Sequence, residues 1–166
     1  MPFIDRDPAT GRVTGEFRQP QHDGQEFLAE NTPEWRARAL GLAKAERKAR
    51  VDAECRRRAS QGVTVTVSAN RTFTVQTRDQ DDKLNLLGMG RLIDLVAGQN
   101  PNATVGFRDA ANMIRPLSQA DVAALQLQVA LAHQALIAAG WDHKDAIEAL
   151  ATLMAVETYD IAVGWP

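Results

Sequence analysis

The most regular hydrophobic pattern in the chain lies between Leu117 and Ala139 and predicts one buried amphipathic helix. Apolar residues recur there at alternating steps of three and four, which places on one face Val122, Leu125, Val129, Ala132, Leu136 and Ala139. A second line widens this stripe, so we expect apolar neighbours on more than one side; it consists of Leu127, Leu131 and Ala138. Ser118 and Asp121 have the spacing of a capping box, and Gly140 is expected to end the helix.

A second C-terminal helix is predicted to begin just after Gly140. Its apolar face is suited to pack antiparallel on the first helix and carries Ile147, Leu150, Leu153 and Met154. The apolar residues 159–166 that follow are expected to dock on the core or on a partner.

Alternation with period two predicts two short β-hairpins in the middle of the chain. Residues 63–67 and 72–77 flank a turn, with valines on one face and threonines on the other, and residues 104–108 and 112–115 form the second pair. Between the hairpins a helix is predicted from about Asp79 to Ala97, capped by Asp79 or Thr77. Gly88 and Gly90 inside it imply close packing or a break, because glycine weakens a helix by about 1 kcal/mol relative to alanine.

A long N-terminal helix is predicted from Pro33 to about Ala59, with Thr32 as its cap. Its apolar line is thin and consists mostly of alanines: Trp35, Ala39, Leu42, Ala49 and Ala53. Because alanine burial stabilises little, we expect this helix to project or to form an interface.

Residues 1–32 contain short extended runs and turn signals, at Asp7–Gly11 and at Pro20–Gly24, and have few large apolar side chains. The predicted organisation is an extended, partner-docking segment (1–32), a basic amphipathic helical arm (33–60) and a small α+β domain (61–166). The fold class is α+β and mostly helical, with a long N-terminal helix, two short hairpins and a C-terminal antiparallel helix pair.

Composition and charge refine this prediction. Apolar residues make up 45% of the chain and charged residues 24%, which is ordinary for a globular protein. Residues 33–60 carry nine basic side chains against four acidic ones, so a basic arm accompanies an acidic body. Neither a signal-peptide pattern nor a stretch approaching about 20 apolar residues is present, so we expect no membrane partner. Cys55 is the only cysteine, which excludes an intramolecular disulfide.

Candidate chemistry is sparse. The histidines are scattered and match no metal or catalytic spacing (His22, His133 and His143), and Cys55 has no identifiable partner base. Three acids resemble a helix start more than a calcium loop, namely Asp79, Asp81 and Asp82. Gly88-Met89-Gly90 lacks the remaining features of a dinucleotide loop. We therefore predict a non-enzymatic protein, with no catalytic, cofactor-binding or metal-binding residues.

Several short segments carry a family resemblance. They are residues 73–79, the hairpin 105–112, the helix start 117–120 and the closing Gly164-Trp165-Pro166, together with Thr10–Gly15 and the passage 27–35. In order and spacing they resemble a domain of unknown function that recurs in tail proteins of tailed bacteriophages and prophages. The resemblance implies a component of the phage tail, made in the host cytoplasm and located in the virion, and it supplies no site residues.

Three functions are compatible with these observations. The first is a structural component of the tail tip, baseplate or tail fibre that docks on other tail proteins, as a homo-oligomer for which three copies are a guess. The alternative is a tail-fibre assembly chaperone. The second alternative is nucleic-acid binding through Arg36–Arg58, which interleaved acids and the lack of stacking aromatics disfavour.

Overall fold

The structure, a computed structural model, describes residues 3–17, 26–27 and 32–166. Over these residues the chain is α+β and mostly helical, as predicted. The helices are α1 Pro33–Ala59, α2 Gln80–Ala97, α3 Gln119–Ala149 and α4 Leu153–Thr158. The strands are β1 Phe3–Arg6, β2 Val13–Phe17, β3 Glu26–Phe27, β4 Val63–Val67, β5 Arg71–Val75, β6 Val105–Arg108 and β7 Ile114–Leu117. The long first helix and both predicted hairpins are therefore confirmed.

The chain divides into two compact units. The first comprises Met1–Arg47 and Ala149–Tyr159, and the second comprises Lys48–Glu148 and Asp160–Pro166. The division between residues 47 and 48 falls inside α1. The predicted organisation into residues 1–32, 33–60 and 61–166 stays a prediction.

The first unit contains a small antiparallel sheet in the order β2-β1-β3. The turn between β1 and β2 forms because the Asp7 carboxylate accepts hydrogen bonds from the amides of Ala9 and Thr10, at 2.8 and 3.0 Å. Gly11 follows with a φ of 67°, a backbone conformation that glycine adopts without strain. The predicted turn at Asp7–Gly11 is confirmed, whereas the predicted break at 20–24 lies outside the described residues.

The core of the second unit forms where both hairpins meet α2 and α3. The antiparallel register of the first hairpin pairs Val65 with Phe73 and Val63 with Val75, as the alternating pattern predicted. The buried cluster comprises Val65, Val67, Phe73, Val75, Leu86, Ile93, Val105, Leu117, Val122, Leu125 and Val129. The β4-β5 hairpin thus contributes the face that its apolar alternation marks, whereas α2 buries Leu86 and Ile93 and leaves Leu84, Leu87 and Leu95 exposed.

The predicted helix starts are confirmed in detail. The amide of Asp121 donates to Ser118 Oγ at 3.2 Å, while Asp121 Oδ2 accepts from the Ser118 amide at 3.1 Å. Asp79 caps α2, since its carboxylate accepts from the Asp82 amide at 2.9 Å. The other candidate cap, Thr77, is buried and donates its hydroxyl to the carbonyl of Ala59.

The predicted end of a helix at Gly140 is wrong. Helix α3 continues through this residue to Ala149, and the second C-terminal helix is only the short α4. Gly140 is buried, and an added Cβ would lie 3.8 Å from the ring of Trp165 and 4.0 Å from Cys55 Sγ. A glycine inside a helix costs about 1 kcal/mol relative to alanine, and α3 continues through this position despite that cost.

Glycines 88 and 90 do not interrupt α2. An ideal Cβ on Gly90 would lie 2.3 Å from Gln126 Nε2, which donates to the carbonyl of Leu86. Of the two predicted alternatives, close packing or a break in the helix, the structure shows close packing of α2 against α3 at Gly90. No atom of the described residues comes within 4 Å of a Cβ added to Gly88, so the structure gives no reason for that glycine.

The apolar line predicted for α1 is not the buried one. Val51 is the buried residue of this helix, whereas Leu42, Ala49 and Ala53 are exposed and lie on the opposite side. The inward line runs through residues that are half-buried or buried: Leu40, Lys44, Arg47, Val51, Cys55 and Arg58. It includes long basic side chains because their alkyl stems cover apolar surface while their charged heads bond elsewhere.

Candidate interaction surfaces

The second unit has a groove of about 820 Å³ between α2 and the β6-β7 hairpin. Its floor is apolar, and its rim carries two arginines that already have partners. Arg78 Nη2 donates to Gln76 Oε1 at 2.7 Å, and Arg108 Nη1 donates to Asn112 Oδ1 at 2.9 Å. The lining residues include no histidine, cysteine or serine that would act as a nucleophile or base. The lining does include the carboxylates of Asp82 and Asp109.

The histidines and the cysteine do not come together into a site. His133 is half-buried on α3, and its pKa is lowered by burial and by the nearby charge of Lys83. His143 lies inside α3 rather than at a helix start, and its ring packs 4.9 Å from that of Trp165. Cys55 Sγ lies 3.7 Å from the carbonyl of Leu136. Among the described residues, no group of three potential metal ligands occurs, and His22 lies outside them.

Asp121 is the most heavily bonded carboxylate of the second unit. Besides Ser118, it accepts from the Ser68 amide at 3.0 Å and from Arg71 Nη2 at 2.7 Å, and it is 3% exposed. Burial alone would raise the pKa of Asp121, but the hydrogen bonds from Ser68 and Ser118 outweigh burial and hold it far below its ordinary value. The sequence indicated the capping role, and the link to the β4-β5 hairpin became visible in the structure. Its role is to join α3 to the hairpin.

A second buried carboxylate, Asp109, organises the turn of the β6-β7 hairpin. The hydrogen bond from the Met113 amide, at 2.8 Å, is the main reason that the pKa of Asp109 is lowered. Arg115 Nε donates to Asp109 Oδ2 at 2.8 Å, and Cζ of the same guanidinium lies 5.7 Å from the ring centre of Phe73. These contacts fix the turn of the hairpin, and Asp109 is also among the residues that line the groove of about 820 Å³.

The basic side chains of α1 are largely engaged within their own unit. Arg57 and Arg58 both pair with Glu54, at 2.7 Å, and hydrogen bonds led by that from Arg57 lower the pKa of Glu54 to about 2. Arg58 also donates to the carbonyl of Ala162 and lies over the ring of Trp165. In the first unit, Arg47 donates to the carbonyl of Tyr159. Phosphate contacts would have to replace these bonds, so the geometry lends no support to nucleic-acid binding through α1.

The C-terminal residues of the second unit dock on its own helices. Trp165 packs beside Gly140 and His143, and its Nε1 donates to the carbonyl of Ile161 at 2.8 Å. Gly164 has a φ of 82°, which turns the chain toward this contact. Residues 159–166 were expected to dock on the core or on a partner, and within residues 160–166 Trp165 does pack on the helices of its own unit.

One side of α3 is apolar and uncovered. We define the open face of α3 as seven exposed residues and the half-buried Ala138: Ala120, Ala123, Leu127, Ala130, Leu131, Gln134, Ala138 and Trp141. Its three largest side chains are exposed to nearly the same extent, with Leu127 at 60%, Leu131 at 59% and Trp141 at 58%. The expectation that the line through Leu127 and Leu131 has apolar neighbours is therefore not met within the described residues.

Helix α3 is strongly apolar although much of its surface is exposed. Within the described residues, α3 is long and apolar enough to cross a membrane by length and composition, with a mean hydropathy of 1.5 over an 18-residue window, of which 17% is buried. The prediction that no stretch approaches the apolar character of a membrane span was wrong here, because alanines and leucines outweigh the interspersed glutamines. The prediction that the protein has no membrane partner stays a prediction.

Helix α2 adds further apolar surface. Leu84, Leu87 and Leu95 are more than half exposed and lie, with Arg91, on the side of α2 that faces away from the buried Leu86 and Ile93. Between α2 and α3 lies a second groove of about 640 Å³, bordered by Leu87 and Arg91 on one side and by Ala123 on the other. The open face of α3 thus continues into a groove beside α2.

Comparison with known proteins assigns the chain to a family. No curated protein and no solved structure matches the sequence. A family model does match, from residue 42 to residue 163, and so covers well over half of the chain, from the middle of α1 to the C-terminal segment. The chain belongs to the family described as Domain of unknown function (DUF4376).

Proposed function

We propose that the protein is a non-enzymatic structural component of a bacteriophage tail, at the tip, baseplate or fibre, and that it acts by docking on other tail proteins. The observation that carries the docking role is the open face of α3, which holds three large exposed apolar side chains on an uncharged surface. Contiguous apolar surface of this kind is typical of protein interfaces, because leaving it in water forgoes the free energy of burial.

The sequence from Val122 to Trp141 contains no Asp, Glu, Lys or Arg. A helix that remained in water on this side would be expected to carry charges there, as the exposed face of an amphipathic helix normally does. Fully burying a leucine side chain contributes about 1.5–3 kcal/mol, so covering Leu127 and Leu131 would stabilise an assembly substantially. These uncharged, exposed residues support binding to a partner protein whatever family the chain belongs to.

The phage context rests on the resemblance of the short segments 73–79, 105–112, 117–120 and 164–166 to tail proteins. It implies synthesis in the host cytoplasm and a final location in the virion. Residues 1–32, with few large apolar side chains of their own, are proposed to dock on neighbouring tail proteins.

Mass spectrometry of purified particles tests this proposal directly. We expect peptides of the protein in particles of the phage or induced prophage that encodes it, at an abundance comparable with that of other tail proteins. Particles lacking the gene should be incomplete at the tail. Complete, infectious particles without the protein would overturn the structural role.

A tail-fibre assembly chaperone is the alternative that the same open face favours, since a chaperone also needs uncovered apolar surface for its client. It would accompany assembly intermediates and be absent from finished particles. The composition of intermediates and of finished particles, measured in the same preparation, distinguishes the two roles.

A further inference from the structure

We propose that the open face of α3 binds the same face of a second copy of this chain, with the two helices antiparallel and related by a two-fold axis near Ala130 and Leu131. This inference deepens the proposed docking role by naming the occupant of the surface. It replaces the guess of three copies with a pair.

Large and small side chains along the open face are ordered so that two antiparallel copies fit together. A two-fold axis between residues 130 and 131 brings Trp141 opposite Ala120, Ala138 opposite Ala123 and Leu131 opposite Ala130; Leu127 meets Gln134. The tryptophan and one leucine therefore each meet an alanine, as close packing of two helices requires. A parallel pairing in register would instead set Trp141 against Trp141 and leave a gap between the alanines at the other end.

The two ends of the open face lie beside side chains of opposite charge. Arg91 is exposed on α2 beside the N-terminal half of the face, where it borders the groove with Ala120 and Ala123. Asp142 and Asp145 are exposed just beyond the C-terminal half. Antiparallel pairing brings Arg91 of one copy toward these two carboxylates of the other, and it does so twice by symmetry. Asp94, one turn along α2, is already bonded to Gln119 Nε2, at 2.9 Å.

The other sides of α3 are already tied to the protein by polar contacts. Gln126 donates to the carbonyl of Leu86 at 2.6 Å, and Gln128 exchanges two hydrogen bonds with the backbone of Thr66, at 3.0 and 2.8 Å. A lipid bilayer would surround the helix and would require these contacts and that of Asp121 to be given up. A flat partner that covers one side, over about 30 Å from Ala120 to Trp141, fits the arrangement better.

The mass of the isolated full-length protein in solution is the first test. Light scattering during gel filtration at about 50 µM should give twice the 18.2 kDa of one chain. Leu131→Glu should give a monomer and raise the dissociation constant about 100-fold or more, because two glutamates would meet unpaired at the axis. The matched control is Leu42→Glu, since Leu42 of α1 is exposed to 58% but lies outside the face; it should leave the pair intact.

Cysteine cross-linking tests the antiparallel arrangement. In a Cys55→Ser background, Ala123→Cys alone should not cross-link, whereas a mixture of Ala123→Cys and Ala138→Cys chains should form a disulfide between copies. A parallel pair in register would give the reverse result. Circular dichroism of every variant confirms that the helices are retained.

Several outcomes would overturn the inference. These are a monomeric or trimeric wild type, a pair that survives Leu131→Glu, and cross-linking of Ala123→Cys with itself. A monomer that floats with phosphatidylglycerol vesicles and is released by Leu131→Glu would identify lipid as the occupant instead. A monomer that is nevertheless present in finished particles would refute the pairing and leave the proposed function standing, with another tail protein on the open face.

Discussion

Helices α1 and α3 are similar in length, with 27 and 31 residues, but they differ in the kind of side chain that they expose to water. Helix α1 has one buried residue, Val51, and most of its uncovered residues are charged or alanine, with Leu42 as its one exposed leucine. Helix α3 has eight buried residues, yet it still exposes Leu127, Leu131 and Trp141. Exposure is therefore compatible with a lone chain in α1, whereas in α3 it indicates a missing neighbour.

The largest difference is expected between the buried and the open side of α3 when a leucine side chain on each is truncated to alanine. Leu125 is fully buried and Leu127 is 60% exposed, although both are leucines two positions apart. Leu125→Ala should lower the free energy of unfolding by about 3 kcal/mol, through lost burial and the cavity left behind. Leu127→Ala should lower it by less than about 1 kcal/mol in a monomeric background such as Leu131→Glu. Urea denaturation measures both, and equal losses would mean that the open face is covered within the chain.

The second-largest difference is expected when one buried carboxylate of α3 and one partly exposed carboxylate of α1 are neutralised. Asp121→Asn should lower the free energy of unfolding by about 3 kcal/mol, because a buried, multiply bonded carboxylate loses its charged contact with Arg71. Glu54→Gln in α1 should cost less than about 1 kcal/mol, since Glu54 pairs with arginines of its own helix that are partly in water. Thermal unfolding at neutral pH compares them, and a larger loss for Glu54→Gln would reverse our ranking.

The contribution of Asp121 to the free energy of unfolding should depend on pH in the acid range. Because the pKa of Asp121 is lower in the folded state than the unfolded value of about 3.9, its contribution is complete above about pH 5 and is lost as the pH falls toward the folded-state value. Between about pH 5 and 3 the unfolding free energy of Asp121→Asn should fall less steeply than that of the wild type. As a control, Gln128→Ala removes the neighbouring bonds to Thr66 without removing a titrating group, so it should lower the curve without changing its slope.

The sequence was informative wherever local chemistry decides the structure. The capping box at Ser118, the cap at Asp79, the apolar face of the β4-β5 hairpin and the bounds of α1 follow from residues that are near one another in the chain, and they were predicted correctly. The inward line of α1 was missed because Arg47 and Arg58 reach backbone carbonyls of the C-terminal segment, which no local pattern shows. For the same reason the open face was expected to be buried: an apolar pattern marks a surface that needs cover, but it does not say which chain supplies the cover.

Gly140 and Gly41 offer the finest comparison of the two helices. An added Cβ at Gly41 of α1 would meet nothing within 4 Å, and at Gly140 of α3 it would reach the Trp165 ring at 3.8 Å, an ordinary contact distance. Both residues are helical, so alanine at either position should raise the free energy of unfolding by up to about 1 kcal/mol. If Gly140 instead ended a helix in a left-handed conformation, alanine there would destabilise the protein, because an L side chain is strained in that region. Gly41→Ala serves as the reference, and the sign of the Gly140→Ala change in urea denaturation shows whether α3 is continuous in solution.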